Sequence, residues 1–243
     1  MFKYDSRVMR FLGDATDYII LNILFIVFSL PVFTFGAANT ARYYVAMKAA
    51  RGHDVYVWKD FTNAFISNFK KATAVWLIVF LVDIVVAYNW FLIYANRNAG
   101  FNQIYVYVLL VVSVLILLVE LMLFPFIARF DNTVFNTIKL SCGITLINIF
   151  KMIFVLFLDV LPFLTSYKYM QWAFLIIPVG TAAVLYINGY LFANMFRKLE
   201  NASEEGEDGN SVKQDEDEVE KPTKNYKEII KRMKNITKKD DED

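Results

Sequence analysis

The stretch Ile104–Ile127 reads IYVYVLLVVSVLILLVELMLFPFI, and Glu120 is the only charged residue in it. About 20 apolar residues in a helix are enough to cross the ~30 Å hydrocarbon core of a bilayer. An isolated strand cannot replace that helix, because only helices and closed barrels satisfy their backbone hydrogen bonds in lipid. The stretch therefore predicts a transmembrane helix.

Four further stretches have a similar composition. They are Tyr18–Phe35, Thr73–Tyr94, Ile144–Thr165 and Trp172–Phe196. The ~10-residue alternation of membrane-spanning strands is absent from them. Apolar residues make up 57% of the chain, compared with roughly 45–50% in soluble domains. We therefore expect an all-α polytopic bundle of about five transmembrane helices, with the lipid bilayer as its surroundings.

The distribution of Lys and Arg predicts the orientation of this bundle. These residues are concentrated between the first and second spans, between the third and fourth, and after the fifth. Cytoplasmic connections carry an excess of Lys and Arg. We therefore expect a plasma-membrane protein with its N-terminus outside and its C-terminus in the cytoplasm.

Residues 36–72 form the longest connection of the predicted membrane domain. Ala38–Ala50 favours a helix that ends at Arg51-Gly52. Four aromatic residues then recur at helical spacing, with polar residues between them: Trp58, Phe61, Phe65 and Phe69. This pattern predicts an amphipathic helix at the cytoplasmic interface. Its aromatic face either packs beneath the bundle or forms a docking surface for a cytoplasmic partner.

Several short blocks in this region occur together in one family. Asn22 precedes Leu30-Pro31, and Thr34-Phe35-Gly36-Ala37-Ala38 is followed by Thr40-Ala41-Arg42-Tyr43-Tyr44 and, later, by Asn68-Phe69-Lys70-Lys71-Ala72-Thr73. With these blocks the chain resembles the YesL-like family of bacterial integral membrane proteins, from Met1 to about Glu200. The resemblance implies a plasma-membrane protein that is often encoded beside carbohydrate ABC importers. It supplies no catalytic residues.

Four charged residues lie within the predicted spans: Asp83, Glu120, Lys151 and Asp159. A charge near the bilayer centre costs at least ~2.5–3.5 kcal/mol, so such residues normally face protein or water and have a partner. Glu120 and Lys151 lie at matched distances from the inner ends of their predicted spans, which favours an ion pair between them. Two alternatives remain open. Lys151 extends to the inner interface, or Asp83 and Glu120 line a path for protons or substrate.

The sequence lacks the motifs of common enzyme chemistry. His53 is the only histidine and Cys142 the only cysteine, and no phosphate-binding loop of the G-x-x-x-x-G-K-[ST] type occurs. A single histidine cannot form a multi-histidine metal site. We therefore expect no enzymatic activity, no cofactor and no metal.

Residues 201–243 differ in composition from the membrane domain, residues 1–200. An acidic run is followed, within residues 222–239, by apolar residues at helical spacing among lysines. This pattern predicts a basic amphipathic helix that binds the anionic inner leaflet, an acidic partner groove or the acidic run itself. Nucleic-acid binding is not expected, because the acidic run would compete for the basic residues.

The sequence therefore favours a non-enzymatic accessory or regulatory protein of a membrane complex. The family resemblance suggests the permease subunits of a carbohydrate ABC importer as its partners, and another membrane complex is the alternative. The alternative is a small ion-coupled transporter that uses Asp83 and Glu120. The sequence does not determine an oligomeric state.

Overall fold

The computed structural model describes residues 7–96 and 103–204. Of these residues, 92% are helical and none lies in a strand, which confirms the all-α prediction. The helices are α1 (Arg7–Ser29), α2 (Phe35–Ala50), α3 (Val57–Ala95), α4 (Gln103–Arg129), α5 (Val134–Ile147), α6 (Ile149–Lys168) and α7 (Ala173–Glu204). Of the predicted tail, residues 201–243, the first four residues continue helix α7, and residues 205–243 lie outside the described part of the chain.

The first apolar segment does not form the single helix predicted over Tyr18–Phe35. Helix α1 ends at Ser29, and a short 3₁₀ turn, Val32–Thr34, leads into α2. Pro31 explains the break, because proline lacks an N–H and disfavours helical geometry in the residue before it. The Thr34 hydroxyl donates to the Pro31 carbonyl at 2.7 Å, and the Trp76 indole donates to the Val32 carbonyl at 2.7 Å. These bonds attach the turn to α3.

Helix α2 ends where the sequence predicts, at Arg51-Gly52, with Gly52 in the left-handed region at φ 82°. The sequence predicts α2 to lie in a connection between two spans. In the structure most of its residues from Gly36 to Met47 are buried, so α2 is not a solvated connection. Small side chains allow this close packing. A Cβ added at Gly36 would lie 2.5 Å from Trp76 Cβ, and one added at Gly189 of α7 would lie 3.0 Å from Ala46 Cβ. Helix α2 is therefore part of the core of the bundle.

Helix α3 contains two segments that the sequence predicts as separate helices. The predicted interfacial helix around Trp58 and the predicted span Thr73–Tyr94 form one continuous helix of 39 residues. At 1.5 Å per residue this helix is about 58 Å long. No glycine or proline occurs in it to interrupt the helical hydrogen bonds.

The predicted span Ile144–Thr165 is divided at Asn148. Helix α5 ends at Ile147 and α6 begins at Ile149. The Asn148 side chain donates to the Ile144 carbonyl at 3.1 Å, which satisfies an acceptor at the end of α5. Residues 144–147 therefore belong to α5, and the apolar helix that follows is shorter than predicted.

Four helical segments of the described chain are long and apolar enough to cross a membrane: Val57–Ala95, Gln103–Arg129, Ile149–Lys168 and Ile176–Glu200. Ala15–Ser29 and Val134–Ile147 are shorter apolar helices. Many large apolar side chains on the long helices are exposed, for example Leu81 at 63% and Phe91 at 60%. Such surfaces are typical of helices that face lipid, so the chain is a helical membrane protein.

One end of the bundle is held by ion pairs. The Glu200 carboxylate of α7 accepts from Arg129 at the end of α4 and from Arg51 at the end of α2. Lys71 of α3 bridges to Asp131 and donates to the Phe130 carbonyl, each at 3.1 Å. The first connection, the α4–α5 connection and the end of α7 therefore meet at the same end of the bundle.

Candidate functional site: a cavity between six helices

A cavity of about 520 Å³ lies between α1, α2, α3, α4, α6 and α7. Eight of its lining residues are polar: Asn22, Asn39, Arg42, Tyr43, Glu120, Asp159, Thr181 and Asn188. Most of its other walls are aliphatic or aromatic. Ligand sites in proteins typically have this volume and combine an apolar wall with a few convergent polar groups.

Arg42 reaches the cavity from the middle of α2. Its Nη2 donates to Asn39 Oδ1 at 2.9 Å, and its guanidinium carbon lies 4.1 Å from the centre of the Phe25 ring. A guanidinium over an aromatic face gains a cation–π interaction, which is stronger in a dehydrated site. The charge of Arg42 is therefore partly compensated by groups of α1 and α2.

Asp159 of α6 and Asn188 of α7 form the closest polar contact across the cavity wall. Asn188 Nδ2 donates to Asp159 Oδ1 at 3.0 Å, and Asn188 is completely buried. Arg42 is close enough to Asp159 for an electrostatic interaction. A carboxyl group of α6, a guanidinium group of α2 and an amide group of α7 therefore lie close together at the cavity: those of Asp159, Arg42 and Asn188.

Tyr43 of α2 contributes a phenol to the same group. Burial, and secondarily the Asp159 carboxylate, raises the pKa of Tyr43. The phenol therefore remains protonated. Its ring packs edge-on against Phe192 with centroids 5.5 Å apart, which fixes its position in the wall.

Asn22 of α1 closes another part of the wall against α7. Its Nδ2 donates to the Pro178 carbonyl at 3.2 Å and to Thr181 Oγ1 at 3.1 Å. Thr181 Oγ1 in turn donates to the Ile177 carbonyl at 2.7 Å. The Asn22 amide therefore has a fixed orientation, with its nitrogen toward α7.

Glu120 of α4 lines the cavity and interacts with Asp83 of α3. The two carboxyl groups come from the two helices that the sequence predicts as the second and third spans. Two adjacent carboxylates repel each other, and a proton or a cation between them removes that repulsion. The structure thus brings Asp83 and Glu120 together, while Asp159 lines the same cavity from α6.

Lys151 lies elsewhere, and the predicted Glu120–Lys151 ion pair is wrong. Lys151 is exposed and donates to Asn148 Oδ1 at 3.0 Å, and none of the ion pairs in the described part of the chain includes it. The reason is the break at Asn148, which places Lys151 in the first turn of α6. The sequence argument assumed a continuous helix through residues 144–165.

The aromatic residues of the predicted docking loop have different environments. Phe61 is fully buried. The centre of the Phe28 ring of α1 lies 5.3 Å from the centre of the Phe61 ring and 5.0 Å from that of the Phe65 ring. Phe69 is half-buried, and its ring lies tilted by 59° against the Phe65 ring, with centroids 5.4 Å apart. Trp58 is 64% exposed. Three of the four aromatics therefore pack against the bundle, and Trp58 is accessible.

Four polar residues of the cavity were not predicted from the sequence as site residues: Asn39, Arg42, Tyr43 and Thr181. The signal was present in α2, whose residues are mostly small or apolar on every face. A helix without a polar face is usually buried, and a buried arginine needs partners. The block Thr40-Ala41-Arg42-Tyr43-Tyr44 was noticed only as part of the family resemblance.

His53 is exposed at the turn after α2, and Cys142 is half-buried in α5. No group of three His, Cys, Asp or Glu residues that could hold a metal ion occurs in the described ranges, residues 7–96 and 103–204.

A protein family described as "Protein of unknown function, DUF624" matches residues 18–90 of the chain. YesL-like proteins belong to that family, so the match supports the resemblance over α1, α2 and most of α3. Comparison with curated proteins and with solved structures gave no match. The matched region contributes Asn22, Arg42 and Asp83 to the site.

Proposed function

We propose that this membrane protein is a non-enzymatic carrier that binds a small polar solute in the cavity and couples its movement to an ion. The observation that carries the proposal is the position of Glu120, which lines the cavity and also interacts with Asp83. Ionisable groups within membrane helices are costly, and they commonly mark ion or substrate paths.

The Asp83–Glu120 pair supplies the coupling site in this proposal. A proton or small cation that binds between the two carboxyl groups removes their repulsion and changes the charge of the cavity wall. Solute binding near Arg42 and Asp159 then depends on the occupancy of the pair, because all these charges act in a low-dielectric environment. Mutual dependence of two sites is the thermodynamic requirement for coupled transport.

In a second proposal the protein is a non-enzymatic accessory or regulatory subunit of a membrane complex. Tyr56, which precedes α3, is 69% exposed, and Trp58 and Ile66 in the first half of α3 are 64% and 67% exposed. These exposed side chains are suited to a membrane-protein partner. The resemblance to YesL-like proteins makes the permease subunits of a carbohydrate ABC importer the first partners to test, in the plasma membrane with the C-terminus in the cytoplasm.

Proton flux into proteoliposomes tests the carrier proposal. The purified protein is reconstituted into vesicles that enclose a pH-sensitive dye. Amines, amino acids and sugars are then added one at a time to the outside solution. At least one solute should produce proton movement in vesicles with the wild-type protein, and Asp83→Asn should abolish it. Asp54→Asn, a change at an exposed residue outside the cavity, is the matched control and should retain it.

Two results would contradict the carrier. One is the absence of proton or solute movement for every compound, although the protein is folded. The other is undiminished movement in Asp83→Asn. Stoichiometric co-purification with permease subunits, lost on Trp58→Ser, would instead favour the accessory proposal.

A further inference from the structure

The cavity contains more unpaired hydrogen-bond acceptors than donors. Four buried oxygen atoms of its lining residues accept no hydrogen bond within the described part of the chain: Asn22 Oδ1, Glu120 Oε1, Asp159 Oδ2 and Asn188 Oδ1. The corresponding unpaired donor is Arg42 Nε. Buried polar atoms without a partner cost free energy, so a ligand that donates to these acceptors is stabilised there.

The assignment of both amides as acceptors follows from their other bonds. Asn22 donates to the Pro178 carbonyl, and Asn188 donates to the Asp159 carboxylate. Carbonyl and ionised carboxylate oxygens only accept, so the amide nitrogens must point toward them. The two Oδ1 atoms are therefore the atoms left for a ligand.

The charges of the lining favour a cation. Glu120 and Asp159 contribute two carboxyl groups, whereas Arg42 contributes one guanidinium group. Arg42 is also held by Asn39 and by the Phe25 ring. An additional positive group therefore has acidic oxygens available to it, whereas an anion would have to compete with Asn39 and Phe25 for Arg42.

The apolar walls restrict the rest of the ligand. Six aromatic rings line the cavity: Phe25, Phe35, Tyr43, Trp76, Phe124 and Phe163. Aromatic faces attract ammonium groups and bury apolar groups favourably. A sugar carries hydroxyl groups on all sides, and many of them would lose their hydrogen bonds to water without replacement against these walls.

We infer that the cavity binds a small organic cation, a protonated amine attached to an apolar body. The amine donates to the acceptors contributed by Asp159, Glu120 and the two asparagines, and the apolar body lies against the aromatic walls. This inference rests on the proposed function and names its substrate class. The same ammonium chemistry is available from a soluble amine and from the headgroup of phosphatidylethanolamine.

Binding of 2-phenylethylamine to the full-length protein in phosphatidylglycerol nanodiscs tests the inference. The amine should bind and raise the unfolding temperature, whereas the neutral isostere 2-phenylethanol and glucose should not. Asp159→Asn and Glu120→Gln should each raise the Kd by about tenfold or more, because each removes a charge-assisted hydrogen bond. Asp54→Asn should leave the Kd unchanged.

The lipid composition distinguishes the two sources of the ammonium group. If added phosphatidylethanolamine removes the temperature shift by competition, the cation site is supported and its ligand is the lipid headgroup. If the shift persists, the site is supported and its ligand is a soluble amine.

Equal affinity for 2-phenylethanol, unchanged affinity in both charge-removing variants, or no binding of the amine would overturn the inference. The carrier proposal fails separately. Amine binding without any movement of amine or protons in vesicles would contradict the carrier and keep the ligand class. Sugar-driven proton movement without amine binding would contradict the ligand class and keep the carrier.

Discussion

Asn188 Nδ2 lies 3.0 Å from Asp159 Oδ1 and joins α7 to α6 at the wall of the cavity. The amide is completely buried, and the other carboxylate oxygen of Asp159 has no hydrogen-bond partner in the described part of the chain. One oxygen of the acid is therefore used to fix its position, and the other remains available. This arrangement combines a rigid site with an open binding position.

Removal of the Asn188 amide should destabilise the protein. Asn188→Ala leaves Asp159 without its donor and should lower the free energy of unfolding by about 1–3 kcal/mol. Asp159→Ala combined with Asn188→Ala should cost less than the sum of the single changes, as expected for residues in contact. Thermal unfolding in detergent measures both effects. Asn194→Ala on the same helix is the control, and additive losses would mean that Asp159 and Asn188 are not coupled.

The close approach of α2 to its neighbours predicts a ranking of glycine substitutions. Gly36→Ala should be strongly destabilising, by about 1–3 kcal/mol, because the new Cβ would collide with α3. Gly189→Ala should also be destabilising, because its Cβ would press on Ala46 of α2. Gly143→Ala has no atom within 4 Å of the new Cβ and should stabilise α5 by up to about 1 kcal/mol. Unfolding temperatures in the reverse order would contradict the packing of α2.

Much of the fold could be predicted from the sequence, because uncharged apolar runs identify membrane helices without any tertiary information. The position of α2 could not, since a helix of small residues such as Ala38 and Ala41 resembles a connection when hydropathy alone is considered. The electrostatic interaction between Arg42 and Asp159 joins residues far apart in the chain, and no periodic pattern in the sequence indicates it. The Lys151 prediction failed because it depended on helix continuity through Asn148.

The orientation expected from the distribution of Lys and Arg predicts a pattern of chemical labelling. In a Cys142→Ser background, Asn96→Cys should react with an impermeant thiol reagent added outside intact cells. His53→Cys, an exposed position one residue after Gly52, should react only after the membrane is permeabilised. The positive-inside distribution is the physical reason. Labelling of the two positions in the opposite order would reverse the proposed topology.

The membrane bundle should fold without the tail. Glu200 joins Arg51 and Arg129 at the end of the bundle, so a chain that ends after Glu204 keeps these ion pairs. Its unfolding temperature should stay close to that of the full-length protein. Glu200→Gln in the same truncated chain should lower it slightly, since ion pairs with partial solvent exposure contribute up to about 1 kcal/mol each. Failure of the truncated chain to fold would show that residues 205–243 belong to the core.

The account depends most directly on the cavity being a polar, water-accessible site inside a membrane bundle. Cysteine reactivity in lipid nanodiscs measures this, because a thiol reacts with charged methanethiosulfonates as the thiolate, which requires water around it. In a Cys142→Ser background, Thr181→Cys, which lines the cavity, should react readily. Val179→Cys, two residues away and 51% exposed on the outside of α7, should face lipid and react at least about tenfold more slowly. Equal protection of both positions, or faster reaction at Val179→Cys, would contradict the existence of the site.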